Sequence, residues 1–82
     1  MTTKYSVTEE FYRNRCLNHN FDKKKKTYHT LNEAILDFNH RILGLEETES
    51  DKEFWDIRLY RDDKCYMFYS TDIYRPTLAI YK

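Results

Sequence analysis

The chain has 82 residues, 34% of them charged, with 14 Lys and Arg against 14 Asp and Glu and so no formal net charge. That length makes one domain spanning 1–82. The charge balance argues against a generic polyanion binder, since small nucleic-acid-binding domains are as a rule clearly basic. Eight Tyr, five Phe and one Trp carry much of the apolar content; each buries a large area, which helps a chain that can bury only about 60% of its unfolded surface.

No stretch approaches 18 apolar residues and no apolar run follows Met1, so neither a membrane-spanning helix nor a signal peptide is expected. The expected location is the cytoplasm, with Cys16 and Cys65 as reduced thiols.

In the first segment Tyr5, Val7, Glu9 and Phe11 alternate with polar positions, which favours a strand or an extended arm over 1–17. Thr8, Glu9 and Glu10, with Arg13 and Arg15 later, carry instead the charge order of a short helix. Asn18, Asn20 and Asp22 are turn formers. Lys23 to Lys26 then lead into Thr27, Tyr28 and His29, predicting a strand over 24–29 that makes a hairpin with the first. Lysines on an edge strand keep other chains from pairing with it. With Arg13 and Arg15 the same residues are also a candidate phosphate-facing patch.

The firmest element is the helix over 30–44. Leu31, Ala34, Ile35, Phe38, Ile42 and Leu45 fall on one stripe at helical period, and Leu36 and Leu43 are expected to widen it. Thr30 and Glu33 form a capping box, Asp37 and Arg41 an i, i+4 pair, and Gly44 stands where a left-handed residue after a helix belongs. The acidic segment 46–53 reads as an exposed connection back to a sheet.

Trp55, Ile57 and Leu59 alternate with charged Asp56 and Arg58, which predicts a half-buried strand. A two-residue turn at Asp62 and Asp63 returns the chain into a strand over 65–69. This register opposes Leu59 to Tyr66 and Ile57 to Phe68, and places Trp55, Ile57, Leu59, Tyr66 and Phe68 under the helix. A three-residue loop would bury Met67 and Tyr69 instead. Residues 77–82 form a last strand with Leu78 and Ile80 inward. The expected architecture is α+β: an antiparallel sheet of four to five strands with one amphipathic helix on one face, in the order β-(β)-α-β-β-β.

The outer sheet face is the candidate site. Arg58, Tyr60, Met67, Tyr69 and Tyr81, with Tyr74 and Arg75 at its edge, make an aromatic and basic surface. Such a composition suits a protein interface, a homodimer, or a platform on which single-stranded bases stack. Lys64-Cys65-Tyr66-Met67-Phe68-Tyr69 echoes one strand of the RNA-recognition motif but lacks its small residues at the second and fourth positions. Cys16 and His19 have zinc-ligand spacing without the second pair a structural site needs, so no metal or other cofactor is expected. No phosphate loop, nucleophile elbow or metalloprotease motif occurs, so no catalytic residue is assigned. A small toxin-type ribonuclease would be expected to be strongly basic.

Many Lys, Tyr, Asn and Asp with one Gly and one Pro, at this length, make the chain similar in composition to the small accessory proteins of large, AT-rich tailed phages. The resemblance covers the whole chain and rests on no motif. It implies a non-catalytic protein that docks on a host factor in the host cytoplasm and redirects or inhibits it.

Overall fold

The computed structural model describes residues 3–14, 19–45, 53–72 and 78–80. Five strands and one helix follow in the order β1 (Tyr5–Asn14), β2 (His19–Tyr28), α1 (Leu31–Leu43), β3 (Phe54–Arg61), β4 (Lys64–Ser70) and β5 (Leu78–Ile80). The sheet is antiparallel throughout, in spatial order β2-β1-β3-β4-β5. The expected α+β class, an antiparallel sheet of four to five strands with one helix, is what the structure has, with five strands among the described residues.

The first segment is a strand, as its alternation indicates. Its pairing with β3 (Val7 with Leu59, Glu9 with Ile57, Phe11 with Trp55) puts Tyr5, Val7, Glu9 and Phe11 on the helix side of the sheet. Where the sequence suggests a turn at Asn20 and Asp22, the chain is already in β2, whose pairing with β1 runs from Asn14–His19 to Tyr5–Tyr28. Ladder hydrogen bonds to β1 satisfy this backbone and override the turn preference of Asn and Asp.

Thr30 is the N-cap of α1. Its hydroxyl accepts from the Glu33 N–H at 3.3 Å and lies 2.9 Å from the Glu33 carboxylate. The two side chains of the box thus meet each other directly. At the other end, Gly44 has φ −92° and ψ 1°, and its N–H reaches the carbonyls of His40 and Arg41. It is not left-handed. The helix closes with a tight last turn that any L-residue can adopt, so the glycine is not required by the backbone here.

The predicted stripe is the buried one. Ala34 and Phe38 are fully buried against Val7, Ile57, Leu59 and Met67, and Leu31, Ile35, Ile42 and Leu45 pack around them. Leu36 and Leu43 do not widen it. They are 65% and 85% exposed, because a helix resting on a flat sheet hides only the stripe centred on Phe38, and these two lie well round its circumference. The helix links β2 to β3 across β1 and packs on those three strands, with Met67 of β4 reaching into the same core.

The β3–β4 turn has the predicted two residues. Asp62 sits at φ 55°, in the left-handed region that Asp tolerates better than most residues. Its N–H donates to the Lys4 carbonyl at 2.7 Å and its carboxylate accepts from the Lys4 N–H at 3.0 Å, tying the turn to the start of β1. The register beyond the turn differs from expectation. Tyr60 pairs with Cys65 but Leu59 pairs with Met67, so Tyr66 is an extra residue in β4, a β-bulge. From there on every β4 side chain changes face. Met67 and Tyr69 turn to the helix side, and Phe68 turns away from it, opposite Arg58. Tyr66 still reaches the core, because a bulge lets two consecutive side chains serve one face.

Phe38→Ala should cost about 3–5 kcal/mol in denaturant unfolding, the range for truncating a fully buried phenylalanine. Gly44→Ala should stabilise the protein by about 0.4–1 kcal/mol in the same assay, because φ is negative and the added methyl meets nothing closer than 3.5 Å. A destabilised Gly44→Ala would show that the helix end needs a left-handed residue after all.

Candidate functional site

Arg58 and Tyr60 lie on the sheet face away from α1, as expected, but this face is not an open aromatic platform. Pairing across β1, β3 and β4 sets Glu10 beside Asp56 and Asp56 beside Ser70, and aligns Thr8, Arg58 and Phe68 in the next row. Asp56, Glu10, Thr8 and Ser70 are all buried. The Arg58 guanidinium bridges the two acids, at 3.4 Å from Glu10 and 3.3 Å from Asp56, and stacks 4.8 Å over the Phe68 ring. Asp56 also accepts from the Ser70 hydroxyl at 2.7 Å, and Ser70 in turn accepts from the Asp72 N–H. Tyr12 stacks on Phe54 and donates its hydroxyl to Glu10.

These contacts set the charges. Burial works against the charge on Arg58, but Asp56 and Glu10 together outweigh it and its pKa is raised. Tyr12 is pushed up to about 12 by burial first, then by its bond to Glu10 and the nearby negative charge. Tyr60 is raised by burial, with Arg58 pulling the other way. Cys65 is likewise raised by burial, so its thiol is held protonated and is a poor nucleophile. A partly buried arginine already shared by two carboxylates has little capacity left for a phosphate.

The other expected members of the surface are elsewhere. Met67 is buried in the core and Tyr69 packs against it, both on the helix side because of the bulge at Tyr66. Tyr74, Arg75 and Tyr81 lie outside the described residues, as do Arg15, Cys16 and 46–52 of the acidic segment. Arg13 is exposed, and so are Lys23, Lys24, Lys25 and Lys26 on the edge strand β2. The lysines do not form one patch. Lys23 and Lys25 share the face of Glu10 and Thr8, whereas Lys24 and Lys26 share the face of Glu9 and Val7. Lys23 lies 4.0 Å from Glu10, Lys24 4.0 Å from Glu9, and Lys26 5.5 Å over the Tyr28 ring.

A surface that the composition did not single out lies on the helix side. Among the described residues, the large hydrophobic side chains left exposed are Leu36, Leu43, Leu78 and Ile80, the last two at 53% and 54%. Leu78 and Ile80 pair with Tyr69 and Met67, so they stand on the helix side of the sheet at its β5 edge, beyond the reach of α1. The opposite flank of the helix is anchored. Arg41 binds Asp37 at 3.0 Å and Glu9 at 3.3 Å. At 100° per residue, Leu36 and Leu43 lie roughly 160–180° round the helix from the midpoint of the fully buried Ala34 and Phe38, and so face solvent, away from the Arg41 flank. Their spacing of seven, off the core stripe, is the one sequence signal that marks them.

No group of three or more metal-ligating side chains occurs among the described residues, and no helix there is long and apolar enough to cross a membrane. Comparison with protein-family models, with curated proteins and with solved structures gives no match.

Arg58→Met leaves Glu10 and Asp56 side by side without their shared cation and should cost about 3 kcal/mol in urea unfolding at neutral pH, the low end for a broken buried pair because Arg58 is partly exposed. Asp56→Asn in the same chain should recover part of that loss; no recovery would mean the acids are not what Arg58 serves. Tyr12 and Tyr28 are both pushed up to about 12, burial first and a carboxylate partner second. A phenol that holds its proton more tightly when folded adds stability below its unfolded pKa of about 10 and loses it as the pH rises toward its folded value. Urea midpoints should fall between about pH 10 and 12, less steeply in Tyr12→Phe; an unchanged slope in that variant would remove Tyr12 from the cause.

Proposed function

We propose that this protein is a small non-catalytic binding module that docks on a partner protein and modulates or inhibits it. The observation that carries this reading is the exposure of four large aliphatic side chains on the helix side of the fold, Leu36 and Leu43 on α1 and Leu78 and Ile80 on β5. Several exposed large apolar side chains on one side of a small domain mark an interaction surface more often than a catalytic one. Two further features support it. The arginine of the opposite face is engaged by its own acids, and the lysines of β2 divide between both faces with two of them beside glutamates. Electrostatic readout of a phosphate backbone wants cations gathered on one surface. If the compositional likeness to phage accessory proteins holds, the partner is a host protein in the bacterial cytoplasm. The alternative is single-stranded nucleic-acid binding through the exposed lysines Lys23 to Lys26.

The test is capture of partners from bacterial lysate on the immobilised protein, with and without nuclease, beside the double variant Leu36→Lys/Leu43→Lys. Both positions are exposed on a helix, where lysine is a good helix former, so stability should change by under about 0.5 kcal/mol. A protein retained after nuclease treatment, bound at least about tenfold more weakly by the double variant, supports the reading. Its affinity should change little between about 50 and 200 mM salt, whereas binding through several phosphates would fall by orders of magnitude. Capture that disappears with nuclease, or that the double variant leaves intact, overturns it.

A further inference from the structure

We draw no further inference here: the strongest candidate, the exposed aliphatic surface on the helix side at α1 and β5, already carries the proposed function, and nothing in the structure shows whether a strand, a helix or a second copy of the chain covers it.

Discussion

Glu9 and Glu10 are neighbours on a strand paired along both of its edges, so the pleat sends their carboxylates to opposite faces of the sheet. Each face must then supply a cation. On the helix side Arg41 does so, held at the same time by Asp37 one turn earlier, and this ties α1 to β1. On the far side Arg58 bridges Glu10 to Asp56, and β2 contributes Lys24 to one face and Lys23 to the other. Burying one of these acids without its partner would cost several kcal/mol, a large share of the stability of a domain this small. The two glutamates therefore dictate where both arginines sit, and through them the position of the helix and the closing of the far face.

The apolar core is arranged around the same strand. Val7 shares the buried cluster with Phe38 and pairs with Leu59. The hydrophobic contribution comes from one row of the helix meeting one face of β1, β3 and β4, and the aromatic pairs Phe11–Trp55 and Tyr12–Phe54 join β1 to β3 at its far end. The bulge at Tyr66 brings Met67 into this core while Tyr66 keeps its contact with it. It also frees Phe68 to lie beneath Arg58. One inserted residue thus serves the packing of one face and the ion cluster of the other.

Spending the interior charges on each other shapes what is left for recognition. On the helix side, besides the Arg41 pairs with Glu9 and Asp37, four large aliphatic side chains stay exposed among the described residues, and the sheet edge β5 carries Leu, Ala and Ile. The opposite edge, β2, carries four lysines, which discourage strand pairing there. The two edges of the sheet differ in chemistry, and the apolar one lies on the side left uncovered by α1.

The sequence by itself determined the elements whose signals are local: the helix with its Thr30 cap and Phe38 stripe, and the alternation of Trp55, Ile57 and Leu59. Periods of 3.6 and 2.0 are set by neighbours along the chain, so they can be read without knowing what packs against them. Arg58 and Tyr60 were legible as partners on the outer face for the same reason. Only the tertiary structure decided that β1 inserts between β2 and β3, which turns the surface-looking Glu10 into a buried residue and Glu9 into a half-buried one. It also decided the bulge that reverses Met67, Phe68 and Tyr69, and the exposure of Leu36 and Leu43. Strand order, bulges and the width of a helix footprint depend on contacts between residues far apart in sequence, where local pattern carries no information.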